Sequence, residues 1–213
     1  MSVDEHIERL NFNTKWKEEE YKKNIEVFGP RNAAHYKHIG KNVVISPLAK
    51  LICTENISIG DYSAIDDFSF ICALSPVNIG KYTHISPFVS IVGKGGMTLE
   101  DHACLTCGVR IITSSADLEG YHGSAKTPIE YKNPVVGHVH IGKDAFIGTN
   151  AIIMQGVKIG EGAVLAAGAI ATKDLEPWTV YMGQPAKPFR KRKRIPKDYI
   201  QNEINRLYDG TKC

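Results

Sequence analysis

The chain has 213 residues, and its formal net charge of +3 is too small to imply a nucleic-acid partner by itself. Its 43% hydrophobic and 23% charged residues describe an ordinary globular balance, with no run near the ~20 apolar residues that a membrane span requires. The expectation is therefore a cytoplasmic protein without membrane insertion, because MSVDEHIERLNFNTKWKEEE is charged throughout and lacks the apolar centre of a signal peptide. Cys53, Cys72, Cys104, Cys107 and Cys213 are odd in number and follow no disulfide framework, so free thiols are expected. Cys104 and Cys107 form a CxxC, but no second pair follows at ligand spacing, and no metal is expected.

In chain order, residues 1–36 form an N-terminal extension whose segment 14–26 has helix-like composition. From residue 37 a long period governs the chain. Ile39, Ile59, Ile79 and Leu99 stand twenty apart, and each opens a unit of three hexapeptides plus two residues. Six residues into each unit stand Ile45, Ile65, Ile85 and Leu105; after twelve stand Leu51, Ile71, Ile91 and Ile111. From 141 the beat is unbroken at six: IGKDAF-IGTNAI-IMQGVK-IGEGAV-LAAGAI-ATKDLE. Neither a helical nor a simple strand period fits; this is a hexapeptide repeat.

Three short strands per unit predict a triangular coil, with equivalent Ile residues of successive coils stacked into one apolar column. The fourth slot of each first hexapeptide (Val43, Ser63, Thr83, Ala103, Ala145, Ala163) is small enough for a crowded inward corner. Gly, Asp and Asn after each Ile suit tight turns where φ can be positive. The predicted fold is an all-β parallel β-helix over 37–178, with a C-terminal tail and helix over 179–213. The rhythm fails after Ile111 and resumes at Val139-His140-Ile141, which predicts an extruded loop at about 113–138. The basic run AKPFRKRKRIPK (186–197) is either a solvated tail or a contact for a phosphate-bearing ligand.

The repeat, the ATKD of 171–174 and the closing VYMGQPAKPFRKR (180–192) resemble the hexapeptide-repeat acyltransferases with a left-handed β-helix, most closely the galactoside and maltose acetyltransferase branch. The resemblance covers roughly 37–194. It implies a homotrimer with an active site in each groove between neighbours, and acetyl-CoA lying beside the C-terminal coils. Carried over residue by residue, it implies coenzyme contacts at Thr149, Ala167, Thr172, Lys173 and Arg190. The implied activity is acetyl transfer to a hydroxyl or amino group of a sugar or nucleotide-linked sugar, for surface polysaccharide.

The galactoside-type enzymes carry their catalytic histidine in a Ser/Thr-Gly-His-Pro turn. Here an ungapped match puts Ala116 at the histidine and Asp117 at the proline, so that carry-over fails. Three substitutes stay open. His84 falls on an acceptor-contacting aromatic, with Ser86 on an acceptor-contacting amide, and would need a neutral ring with pKa near 7 to act as base. Asp117 opens a run that loosely echoes the Asp-(Tyr or Phe)-Ser-Gly of a related branch. His122 lies in the broken stretch itself. His138, where the chain re-enters the prism, is a further acceptor contact, while His6, His35, His38, His102 and His140 read as surface residues.

Two rival functions are separable. A β-helical carbonic anhydrase needs two zinc histidines five apart, a spacing that no pair of the eight histidines has. A non-catalytic trimeric scaffold would not need the coenzyme-type signature, and failure to bind acetyl-CoA would favour it.

Overall fold

The structure, a computed structural model, describes residues 35–194 except Leu118, Gly120, Tyr121 and Ala125. The helix-like segments 14–26 and 197–208 lie outside the described residues, and the described chain as far as Arg192 belongs to one structural unit.

The chain winds through three parallel sheets in turn, a β-solenoid of about seven turns that matches a left-handed β-helix. The first face stacks six strands: His38–Ile39, Ile57–Ile59, Val77–Ile79, Met97–Leu99, Val139–Ile141 and Lys158–Ile159. The second holds Val44–Ile45, Ala64–Ile65, His84–Ile85, Cys104–Leu105, Phe146–Ile147 and Val164–Leu165, closed by Thr179–Met182 and Lys187–Lys191. The third holds Lys50–Ile52, Phe70–Cys72, Ser90–Val92, Arg110–Ile112, Ile152–Ile153 and Ile170–Ala171.

The register is the one the twenty-residue period predicts. Ile39, Ile59, Ile79, Leu99, Ile141 and Ile159 pair in sequence down the first face, so that the column passes across the long excursion without a slip. Ile65, Ile85, Leu105, Ile147 and Leu165 are fully buried on the second face. Burying one such side chain contributes about 1.5–3 kcal/mol, repeated at every rung. The small-residue slot is buried in every coil, from Val43 at 2% to Ala163 at 0% exposure. At Ser63 the hydroxyl donates to the Gly80 carbonyl (2.8 Å) and accepts the Thr83 N–H (3.1 Å), which satisfies a polar group in the core.

The corners differ from the sequence expectation in one respect. The left-handed positions are not the glycines after each Ile but residues two further on: Asn42, Tyr62, Tyr82, His102 and Asp144, with φ of 54°, 58°, 53°, 59° and 57°. Gly60 is required for close approach instead, since a Cβ there would lie 2.7 Å from the Gly80 backbone carbon. Bulky side chains at positive φ are strained, and stacking offsets part of that cost. Tyr62 stacks on Tyr82, and Tyr82 on His102, each with ring centroids 5.1 Å apart; Phe68 and Phe88 do the same at the next corner.

The two spare residues per long coil all fall at the third corner, as in the 3-10 turn Thr54–Asn56. The excursion after Ile111 leaves from that corner too. At the C-terminal end the second sheet continues into the antiparallel pair Thr179–Met182 and Lys187–Lys191, the last of which is an exposed edge strand rich in Lys and Arg. Arg192 Nη1 donates to the carbonyls of Asp144 (2.8 Å) and Gly162 (2.9 Å), while its guanidinium sits over Trp178. Replacing Ile85 by Ala should lower unfolding free energy in urea by about 2–5 kcal/mol, a loss that a shift of under 1 kcal/mol would contradict.

Candidate functional site

The excursion is a built element. Ser114–Ala116 pairs antiparallel with Pro134–Val136, with Ser114 opposite Val136 and Ala116 opposite Pro134. Pairing continues outward as the Asp117 N–H donates to the Asn133 carbonyl (2.9 Å) and the His122 N–H to that of Tyr131 (3.1 Å). Pro134 keeps Asn133 in the extended region that this ladder needs. The Asp117 carboxylate is fixed at both oxygens. Asn133 Nδ2 donates to Oδ2 (2.9 Å), and the Glu119 N–H donates to Oδ1 (2.9 Å). At the base, Gln155 Nε2 donates to Ser115 Oγ (2.9 Å) and ties the hairpin to the next coil. His122 is exposed, with its ring edge-on to Tyr131. His138 follows the hairpin: its Nδ1–H donates to the Gly95 carbonyl (3.1 Å), and Nε2 lies 3.0 Å from Thr98 Oγ1.

His84 lies on the second face, directly between Ala64 and Cys104 of the neighbouring coils. Its Nε2 is 2.7 Å from Asp66 Oδ2, and half of the side chain is exposed. Hydrogen bonding to Asp66, then to Cys104, raises the imidazole pKa to about 10 against an opposing push from partial burial. His84 is thus a cation at neutral pH, whereas a proton-accepting role required a neutral ring. Ser86 follows at the second corner, 7% exposed, with its carbonyl accepting from Ser69 Oγ (3.1 Å).

The coenzyme candidates fall at two corners and in the terminal hairpin. Thr149 and Ala167 are exposed at the second corner, where Thr149 Oγ1 donates to Thr106 Oγ1 (3.4 Å). Beside Ala167, a Cβ built on Gly168 would meet nothing within 4 Å, so this edge is smooth and open. Thr172 and Lys173 are exposed at the third corner, where the next residue, Asp174, accepts the Lys158 N–H (2.8 Å). Arg190 stands opposite Val180 in the terminal hairpin and helps to line a cavity of about 290 Å³ with Tyr181, Phe189 and Lys191.

The winding order therefore separates the candidates. Asp117, His122, Thr172, Lys173 and, just beyond, His138 belong to the third corner. His84 belongs to the second face, which a triangular section places opposite that corner, and Ser86, Thr149 and Ala167 lie along the second corner. One chain does not bring these two groups together. Sequence reasoning missed Asp66, Asn133 and Gln155. Asp66 had a signal, because the period of twenty sets it one coil above Ser86 and diagonal to His84. Asn133 and Gln155 had none, since their partners depend on the hairpin's register. Among the described residues no group of three His, Cys, Asp or Glu side chains could hold a metal ion, and no helix is long and apolar enough to cross a membrane. Cys53, Cys72, Cys104 and Cys107 are free thiols.

Known proteins bear directly on this arrangement. A family model for the hexapeptide repeat of succinyl-transferase matches residues 138–173. The dTDP-4-amino-4,6-dideoxy-D-glucose acyltransferase of Escherichia coli is 38% identical over 161 residues, covering 75% of this chain and 84% of that protein. A chloramphenicol acetyltransferase of Escherichia coli is 45% identical over 73 residues, 34% of this chain and 32% of its own. The crystal structure of AntD, an N-acyltransferase from Bacillus cereus in complex with dTDP and 3-hydroxybutyryl-CoA, superposes with a TM-score of 0.74. It is 29% identical and covers 84% of this chain and 93% of that one. With a solenoid of the same repeat and a relative that spans most of both sequences, this chain belongs to the hexapeptide-repeat acyltransferases.

Proposed function

We propose that this protein transfers an acyl group from acyl-CoA to the amino group of a nucleotide-linked sugar, with Asp117 as the acceptor-side catalytic residue. The observation that carries the reading is the Asp117 carboxylate, held at both oxygens on the edge that also bears Thr172 and Lys173. The dTDP-sugar acyltransferase relative acts on a dTDP-linked 4-amino sugar, and AntD binds dTDP together with an acyl-CoA, which supports both substrate classes. A carboxylate fits an amine better than a hydroxyl. It pairs with the ammonium form and orients the nitrogen; one proton leaves to solvent to free the lone pair, the carboxylate takes a second as the amine attacks and the N–C bond forms, and it passes that proton to the thiolate that departs as the C–S bond breaks. A sugar hydroxyl would demand a near-neutral base, and His84, the histidine that the resemblance sets beside the acceptor, carries a charge. His84 then serves as a cationic acceptor ligand, and Ser86 and His138 as flanking contacts. His122 on the hairpin is the remaining candidate near the acceptor.

Thr149 and Ala167 on one edge, and Thr172, Lys173 and Arg190 elsewhere, would hold the coenzyme. Small residues admit the extended thiol arm, and the cations meet its phosphates. Because the two groups of candidates occupy different edges, the reading requires the third corner of one copy to meet the second face and corner of another. A contact of that kind between unlike surfaces closes into a ring, and a homotrimer is the ring we propose. Such an enzyme fits a cytoplasmic step that finishes activated sugars for surface polysaccharide.

Purified protein should release free thiol from acetyl-CoA with a dTDP-linked amino sugar, and Asp117→Asn should lower kcat by about 100-fold with an unchanged unfolding midpoint. Turnover only with hydroxyl acceptors, undiminished in Asp117→Asn, would overturn the reading. Co-refolding inactive Asp117→Asn with inactive Thr149→Trp at equal amounts should restore about one quarter of wild-type sites, since each site then draws one intact edge from each chain. No recovery would assign both edges to one chain. His84, raised from 6.5 to about 10 by folding, stabilises the fold fully below pH 6.5, and that contribution is lost as pH climbs through 10. Melting midpoints should accordingly fall between pH 7 and pH 10 more steeply in wild type than in His84→Gln; parallel profiles would rule the pairing out.

A further inference from the structure

We infer that Asn133 is the positioning residue for Asp117, an inference that rests on the catalytic reading of that carboxylate. Asn133 grips Asp117 twice. Its side-chain amide donates to Oδ2 at 2.9 Å, and its backbone carbonyl accepts the Asp117 N–H at 2.9 Å. The Glu119 N–H occupies Oδ1 at 2.9 Å. Each carboxylate oxygen thus uses one lone pair inside the hairpin and keeps another for an acceptor ammonium. The backbone bond sets where the residue stands, and the amide, together with the Glu119 N–H, sets how the carboxylate is turned about its χ angles.

That division matters because Asp117 lies just beyond the rung of Ala116 opposite Pro134, where backbone pairing continues but fixes the main chain and not the carboxylate. Without the amide, the Glu119 N–H on Oδ1 is the remaining hairpin bond to the carboxylate, Oδ2 turns to solvent, and the group samples rotamers that do not face the acceptor. Acyl transfer depends on reacting groups held in near-attack geometry, so the loss falls on kcat. Stability should scarcely change, since Asn133 is exposed and its amide exchanges a carboxylate partner for water. The Asn133 amide is engaged with Asp117 and not with the coenzyme candidates, so the KM for acyl-CoA has no reason to move.

The test uses Asn133→Ala and the near-isosteric Asn133→Leu, which removes the donor without setting a second carboxylate beside Asp117 and leaves the backbone bond in place. Both should lower kcat at least about tenfold, with KM for acetyl-CoA and the melting midpoint unchanged. Placed on Asp117→Asn, Asn133→Ala should cause no further loss, because a residue acting only through Asp117 has nothing left to position. Equal losses on both backgrounds would overturn the proposal in favour of general hairpin support. Wild-type kcat in Asn133→Ala, with Asp117→Asn inactive, would overturn positioning alone. Wild-type kcat in Asp117→Asn would overturn the catalytic reading and this proposal with it.

Discussion

Coil-to-coil hydrogen bonding in register is the constraint from which the rest of the molecule derives. Parallel strands about 4.8 Å apart must align side chain over like side chain. A residue tolerated at one level is therefore judged against its equivalents above and below. This explains why the inward columns are Ile, Leu and Val, why the crowded slot shrinks to Ala and Ser, and why Gly60 must clear the Gly80 backbone. It also explains the exposed stacks. Tyr62, Tyr82 and His102 share a left-handed corner, and rings held 5.1 Å apart by the backbone lose little by facing one another.

The same constraint decides where function can be added. A residue inserted within a strand would shift every later side chain to the wrong face, so insertions collect at a corner. Here the third corner takes all of them, from the 3-10 turn at Thr54–Asn56 to the hairpin, and the first-face column resumes from Leu99 to Ile141 as if nothing intervened. The hairpin can therefore carry polar, strained or catalytic residues without disturbing the core. Outward strand positions offer a second location. His84 and Asp66 form an ion pair across neighbouring coils while Ile65 and Ile85 behind them remain fully buried.

Periodicity made the solenoid legible, because each inward Ile repeats the same demand and the errors of single positions average out. The glycines after each Ile do mark corners, but close approach rather than positive φ requires them, and sequence alone does not distinguish the two causes. The excursion was legible as an interruption, and Asp117 and His122 as polar residues inside it. Their partners were not. Asn133 meets Asp117 across a hairpin register that no repeat predicts, and the charge on His84 depends on a carboxylate eighteen residues away. Spacing reveals which residues share a column, whereas pKa depends on diagonal neighbours and exposure.

A rigid prism has a further consequence for an enzyme with two substrates. Acyl transfer requires the thioester carbon and the attacking nitrogen to meet within about 3–3.5 Å, with water held away. A triangular solenoid is convex at every corner and nearly flat on every face, and its winding keeps His84, Thr149 and Ala167 away from the edge that carries Asp117. Distributing the chemistry resolves the difficulty. One edge carries small residues, Ala167 and Gly168, along which an extended chain can lie, and another carries a projecting hairpin with a fixed carboxylate. In the assembly proposed above, concavity would arise where a hairpin from one prism overhangs the smooth edge of the next. In that assembly the excursion after Ile111 would serve two ends with one element: it would supply Asp117, and it would supply a wall beside the neighbouring edge.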